Sequence, residues 1–254
     1  MIKKITGDYH THTKYSDGHT SCLENITYAL KAGLAEIAIT DHGFNNPSRY
    51  SLTREKYQTQ RKEIGILRDQ FNDKINILHG VEADIIACDG TIDATKSDIQ
   101  NMDVLILGYH SFAKSKSTRD WRKLYLNSFL SALITPSKEV IKRNTQALIY
   151  AIKKYPIDIL AHINHLLKVD CYLLSSVASD YGVLIELNEK HINFDDDIFA
   201  RMLTTKVNFI INSDAHRKEN VGAFPHVEAF LKKHTVPEAR IVNISKTPQF
   251  KNKS

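Results

Sequence analysis

The chain has 254 residues, 42% of them hydrophobic and 25% charged, with a formal net charge of +5. That length suits one large domain with a substantial core, and no apolar run approaches the roughly 18 residues that span a bilayer. Three cysteines, Cys22, Cys88 and Cys171, lie far apart and outside any Cys-x-x-Cys pattern, which argues against a disulfide framework and a thiolate zinc site. A reducing cytoplasm is the expected compartment. The basic residues are scattered without a nucleic-acid motif, so the charge reads as a solvated surface compatible with an anionic substrate. Met1-Ile2-Lys3-Lys4-Ile5 runs at once into polar Thr6-Gly7-Asp8, so no signal peptide is expected and the mature protein is expected to begin here.

Short β-rich runs alternate with longer segments of helical period, the pattern of an α/β parallel sheet or barrel. The first strand is expected over Ile5 to His10. A helix follows from Ser21 to Ala32, where Leu23, Ile26 and Leu30 recur at helical spacing and Ser21 with Glu24 forms a capping box. Next come a strand over Glu36 to Thr40, a helix over about Thr53 to Phe71, and strands over Ile75 to Ala83 and Val104 to Tyr109. In Ser111 to Pro136, polar Lys114 to Ser117 precedes Trp121, Tyr125 and Phe129, and either a lid or a surface helix fits. Helices over Ser137 to Lys154, Tyr172 to Asp180 and Asp195 to Leu203 then alternate with strands over Ile157 to Ala161, Val183 to Leu187 and Val207 to Ile211. A last helix is expected over Val221 to Lys233, which makes seven strands in all.

Six apolar runs close on ionisable residues: His10 and His12, Asp41 and His42, Glu82, His110, His162, and Asp214 and His216. An extended backbone points His10 and His12 to the same side, although a hydrogen-bonded surface pair explains that spacing alone equally well. Glu82 ends an apolar run, where a carboxylate is costly unless paired. Asp214 and His216 repeat the two-residue spacing. Carboxylates bridge ions and neutral imidazoles terminate them, so the joint set suits two or more Zn, Mn or Fe ions. His191, His226 and His234 read as surface residues, His79 as a neighbour supporting Glu82, and His165 as either a substrate-facing residue or a loop cap.

Asp8-Tyr9-His10-Thr11-His12-Thr13 with Ser16-Asp17-Gly18, Ile39-Thr40-Asp41-His42-Gly43, Gly80-Val81-Glu82-Ala83 with His110, then His162, and Ser213-Asp214-Ala215-His216 resemble the motifs of the polymerase and histidinol phosphatase (PHP) superfamily, in family order. Further segments, among them Asp89-Gly90-Thr91-Ile92-Asp93, Asn144-Thr145-Gln146-Ala147, Glu186-Leu187-Asn188 and Arg240-Ile241-Val242-Asn243, resemble its small stand-alone phosphatases with three metals. The resemblance implies a distorted seven-stranded (β/α)7 TIM-like barrel, one metallohydrolase domain over 1–254, and two to three divalent ions. It also implies a first metal on His10, His12, Glu82 and Asp214, and a second shared by Glu82 and bound by His110 and His162. A third would take Asp17, His42 and His216. Many members of this branch carry His near Asp17, and His19 stands two residues on; the Ser-Asp-Gly spacing favours Asp17.

The activity so implied is hydrolysis of a small phosphate monoester, histidinol-phosphatase-like, by a hydroxide bridging two metals, with Glu82, Asp214 and His216 as catalytic residues. Asn188, Lys190 and Arg217 follow strand ends and are the candidates for substrate binding; Lys168 and Lys218 also follow strand ends, although a solvated surface lysine is the commoner reading of each. The expected partner is a small phosphorylated metabolite, and the small relatives make a homo-oligomer an expectation. A phosphodiesterase or nuclease acting on nucleotides or DNA ends is the alternative enzyme, disfavoured because aromatic and basic residues are not interleaved as a single-strand track needs. A non-catalytic metal-binding module is the alternative outside enzymes.

Overall fold

In the computed structural model, which describes residues 4–46, 50–111, 113–126 and 135–251, seven strands pair side by side in chain order and every pair is parallel. They are β1 (Gly7–Asp8), β2 (Glu36–Ile39), β3 (Asn76–Asp84), β4 (Val104–Gly108), β5 (Ile159–Leu160), β6 (Leu184–Asn188) and β7 (Phe209–Asn212). β2 and β4 are buried along their whole length, as strands covered on both faces must be, which suits the mostly aliphatic runs Ile37-Ala38-Ile39 and Val104-Leu105-Ile106-Leu107.

The helices are α1 (Cys22–Lys31), α2 (Arg54–Phe71), α3 (Lys96–Ile99), α4 (Thr118–Asp120), α5 (Lys138–Lys154), α6 (Cys171–Asp180), α7 (Asp196–Leu203) and α8 (Pro225–Lys233). Their starts follow local chemistry. Ser21 and Glu24 form the capping box of α1, while Thr53, Ser137, Asp170 and Asp195 cap α2, α5, α6 and α7 through their side chains. None of the described helices is long and apolar enough to cross a membrane.

Three elements depart from the sequence expectation. α8 begins at Pro225 instead of Val221, because Lys218–Asn220 forms a tight 3-10 turn, Gly222 takes a left-handed φ of 73°, and proline suits a first helical turn. α3 was not anticipated; its one turn is too short to show a period, although Thr95 and Asp98 form a capping box. In the segment Ser111 to Pro136, α4 runs on into a wide-turned stretch, Trp121–Leu126, whose Leu124 and Tyr125 are buried. Tyr125 donates its hydroxyl to Ile85 O at 3.3 Å and Leu124 O accepts from Tyr109 at 3.1 Å, so this part is a packed helix. Phe129 and the rest of 127–134 lie outside the described residues.

The barrel is nearly closed between its first and last strands, and there side chains do much of the work of a ladder. Tyr9 N donates to Asn212 Oδ1 at 2.9 Å, Ser213 N to Asp8 Oδ1 at 3.1 Å, and His12 N to Ala215 O at 2.8 Å. Asn243, fully buried, donates to Gly7 O at 3.0 Å and Ile211 O at 2.7 Å while accepting from Ile211 N at 3.0 Å. Beneath this seam Phe250 packs edge-on against Tyr9, ring centroids 5.1 Å apart. Replacing Asn243 with Leu leaves these buried backbone groups unpaired, and each such group costs about 1–3 kcal/mol. Urea unfolding is expected to show a loss of more than about 2 kcal/mol; a loss below a few tenths would mean that Asn243 does not hold the seam.

Candidate metal centre

Because the strands are parallel, their carboxyl ends open onto one face of the barrel, where side chains from distant segments meet. His10 and His12 follow β1, His42 follows β2, Glu82 lies near the end of β3, His110 follows β4, His162 follows β5, and Asp214 and His216 follow β7. Asp17 arrives on the loop after β1. That loop is shaped by Asp41, whose carboxylate accepts from Thr13 N at 2.7 Å, Thr13 Oγ1 at 2.6 Å, Gln60 Nε2 at 2.5 Å, and Ser16 Oγ. At Gly108 an added Cβ would stand 2.6 Å from Glu82 Oε1, so only glycine leaves the carboxylate its place.

Glu82 is the centre of the cluster and is wholly inaccessible. Its Oε1 lies 2.8 Å from His162 Nε2 and 3.6 Å from His110 Nε2; its Oε2 lies 3.0 Å from His42 Nδ1, 3.3 Å from His10 Nε2 and 3.7 Å from His12 Nε2. Asp214 Oδ1 stands 3.4 Å from His12 Nε2 and 3.3 Å from His216 Nδ1. Asp17 Oδ2 stands 3.4 Å from His42 Nε2 and 3.3 Å from His216 Nε2.

The donor set fits metal ions. Three overlapping groups hold their donor atoms within 4.8 Å of one another: His12, Asp17, His42 and His216; His10, His12 and Asp214; and His42, Glu82 and His110. Buried His10 Nε2, His12 Nδ1 and Nε2, His42 Nδ1 and Glu82 Oε2 find no hydrogen-bond partner among the described residues. Several lie near a carboxylate but out of line with it. Buried polar atoms left so are expensive, and a cation coordinated by them removes that cost.

The electrostatics are those of a cluster that must exchange protons for cations. Burial opposes charge on His10, yet Glu186, Glu82 and Asp214 outweigh it and hold its pKa well above the ordinary value. His42 is raised in the same way, against burial, by Asp17 and Glu82. Burial, helped by His216 and His42, keeps His12 well below its ordinary value. Glu82 and Asp214 are held well below the usual carboxylate range despite burial, Glu82 by His110 and His10 and Asp214 by His10 and His12.

Behind the donors stands a layer of acceptors. Glu186, on β6, is fully buried and accepts from His10 Nδ1 at 2.7 Å, His162 N at 2.9 Å, Asn188 Nδ2 at 2.8 Å and Asn212 Nδ2 at 2.9 Å. Binding Nδ1 of His10 leaves Nε2 to face the centre. Asp84 does the same for His110, at 2.8 Å from Nδ1. His162 and Asp214 both take left-handed backbone, φ 30° and 53°, a strain of about 1–3 kcal/mol each that surrounding bonds must hold in place.

Sequence reasoning assigned no role to Glu186 or Asp84. The signals were present: Glu186 interrupts the apolar run Val183 to Leu187, and Asp84 stands two residues beyond Glu82 on the same strand face. The structure brings all nine expected ligands to one centre. His19 is exposed and lines neither cavity beside the centre, whereas Asp17 lies in it. His79 faces away, bonded to Gln60 at 3.0 Å and stacked on Tyr57. His191, expected at the surface, instead stacks on His165 with centroids 3.9 Å apart, and both rings line a cavity of about 260 Å³ over the donors.

Of the expected substrate-binding residues, Lys190 lines that cavity, its Nζ 3.3 Å from Asp214 Oδ1 and 2.6 Å from His216 Nδ1. Asn188 is buried, with its amide donating to Glu186 and Asp214 and its oxygen accepting from Lys190 N and His191 N. It therefore shapes the loop carrying Lys190. Arg217 is exposed and lines neither cavity, Lys168 bonds Asn164 O, and Lys218 pairs with Glu24.

Two outcomes follow. Glu186→Gln removes the charged acceptor of His10 and is expected to weaken metal binding by about 10- to 100-fold, read by calorimetry on a variant with an unchanged circular dichroism spectrum; equal affinity would sink the positioning role. The second concerns pH. Burial pushes Asp8 and Asp158 up to about 6 and Asp93 up to about 7, and His10 and His42 are also raised, so the folded state binds protons that the unfolded chain has released. Their contribution is present at low pH and lost as pH climbs, through 6 to 7 for the aspartates and higher for His10 and His42. The lowered carboxylates Glu82 and Asp214 oppose this only near and below pH 4, whereas His12, His79, His165 and His191, whose pKa values burial lowers, oppose it below about pH 6.5. Metal-free protein in a chelator should therefore melt at a higher temperature near pH 7 than near pH 8.5, and a melting temperature that rises over this interval would contradict the assignment.

Comparison with known proteins agrees with this geometry. The model of the PHP domain family matches residues 8–196. A protein named a probable phosphatase from Caldanaerobacter subterraneus subsp. tengcongensis is 29% identical over 96% of this chain and 89% of its own length. The DNA polymerase/3'-5' exonuclease PolX of Bacillus subtilis is 30% identical over 86% of this chain, which spans only 35% of that protein. Among solved structures, the histidinol phosphate phosphatase of Lactococcus lactis subsp. lactis, complexed with zinc, L-histidinol and phosphate, superposes with a TM-score of 0.62 over 98% of both chains at 16% identity, a likeness of fold. With a family match across three-quarters of its length, this chain belongs to the PHP domain family.

Proposed function

We propose that the chain is a phosphatase that hydrolyses small phosphate monoesters at a centre of two to three divalent ions, zinc, manganese or iron. Family membership and the phosphatases among its relatives carry the broader class, metal-dependent phosphoesterase. One observation supports the finer reading most: the two oxygens of buried Glu82 face different imidazoles, His162 and His110 on one side, His42 and His10 on the other. A carboxylate so placed suits a bridge between neighbouring ions. When bound, such ions would supply a water of lowered pKa and offset charge on the phosphoryl group.

The protein's own residues do the rest. His10, His12 and Asp214 would hold one position, His110 and His162 a second with Glu82 between them, and Asp17, His42 and His216 a third. Lys190 presents the ammonium that meets a phosphoryl oxygen. Glu186 and Asp84 keep His10 and His110 turned toward the centre, and buried walls exclude bulk water. The leaving oxygen takes its proton from water or a neighbouring acid. The reading includes a small phosphorylated metabolite as substrate, histidinol phosphate being the first to test, and a reducing cytoplasmic setting that suits the free thiols of Cys22, Cys88 and Cys171.

Protein loaded with manganese or zinc is expected to hydrolyse p-nitrophenyl phosphate, with chelation or Glu82→Ala lowering kcat by about 100-fold or more. Activity indifferent to both treatments would refute the site. Faster turnover of bis-p-nitrophenyl phosphate than of the monoester would replace the monoesterase reading with a phosphodiesterase, the second reading that the exonuclease relative favours.

A further inference from the structure

We infer that the carbon body of the substrate lies in a second cavity on the far side of Lys190, so that the loops after β6 and β7 select the alcohol while the donor cluster holds the phosphate. This rests on the phosphatase reading above and concerns what that site accepts. The second cavity measures about 470 Å³ and is lined by Lys190, Ile192, Ser213, Asn220, Ala223 and Pro225, with Glu189 and His226 at its edge. It lies beside the donor cavity: Lys190 lines both, and Ser213 on one side is followed in the chain by Asp214 on the other.

Lys190 is held at this junction. Its backbone N–H donates to Asn188 Oδ1 at 2.9 Å and its ammonium reaches Asp214 and His216. An ester with its phosphate among the imidazoles passes its bridging oxygen by this ammonium on the way to the larger space. The face-to-face rings of His165 and His191 also line the donor cavity and stand 6.3 and 6.0 Å from His162.

The lining also indicates the chemistry of the body. Ile192, Ala223 and Pro225 offer apolar surface, and Asn220 offers a neutral amide at the rim. Glu189 would repel an anionic ester if its carboxylate were free. Instead it accepts from His226 N at 2.9 Å, Val227 N at 3.0 Å and His226 Nδ1 at 2.7 Å at the start of α8, which offsets its charge. Among the described residues that line it, Lys190 is the one lysine or arginine, and its ammonium faces the donor side. A second phosphate on the substrate would meet neither an ammonium nor a guanidinium among them. The cavity thus fits an uncharged, partly apolar or flat alcohol well beyond three carbons, within the volume range of small-molecule sites.

The experiment compares 1-naphthyl phosphate with glycerol 3-phosphate on metal-loaded wild type, Ala223→Phe and Asn220→Trp. Asn220 is exposed, so the second substitution keeps the fold if the first does not. Each is expected to raise the ratio of KM for the naphthyl ester to KM for the glycerol ester at least tenfold. An unchanged ratio overturns the assignment. Calorimetric binding of 1-naphthylmethylphosphonate separates this from a failure of the phosphatase reading: binding that either substitution weakens tenfold supports the cavity even without turnover, and binding that both leave intact overturns it.

Discussion

A carboxylate with no solvent access, Glu82, stands at the mouth of an apolar barrel, and much of the surrounding architecture answers that fact. Taking such a charge out of water costs several kcal/mol unless opposite charges and donors surround it. The chain supplies them from strand ends that are remote in sequence: His10, His42, His110 and His162 lie within 3.6 Å of its two oxygens. Gly108 gives it room, and the imidazoles are in turn anchored by Glu186 and Asp84. Removing any layer would leave the next one a buried charge without a partner.

Much of this was readable from the sequence because it is local. Short β-rich apolar runs located the strands, the capping box of Ser21 and Glu24 marked the start of α1, and the two-residue spacing of His10 with His12 and Asp214 with His216 placed each pair on one side of an extended segment. Glu186 illustrates what was not readable. Its bond to His10 joins residues 176 apart, and that meeting depends on how β6, β7 and β1 are staggered, which no local period encodes. Asp41 shows a related limit: ending a strand beside His42, it has the look of a ligand, yet its oxygens are taken by Thr13, Ser16 and Gln60.

The likeness to the Lactococcus enzyme at 16% identity says that the barrel and its order of strands persist while most side chains change. Above the barrel, His165, Lys190, His191 and the turn that leads into α8 all belong to loops after strand ends, where sequence can vary without disturbing the layered interior. The donors are fixed by burial and mutual charge, and the loops are free to fit a particular ester.

The seam between the first and last strands sets an order of assembly. Asn243 bonds Gly7 and Ile211, and Phe250 seats on Tyr9, so the β1 segment waits for partners that lie far later in the chain. Until then β1 has only one side of its pairing, and His10 and His12 have no Asp214 opposite them. A nascent chain on the ribosome can stack its middle strands early, but His10 and His12 cannot meet Asp214 and His216 until the segment after β7 has emerged. The donor cluster is thereby completed only when the two ends of the sheet can come together.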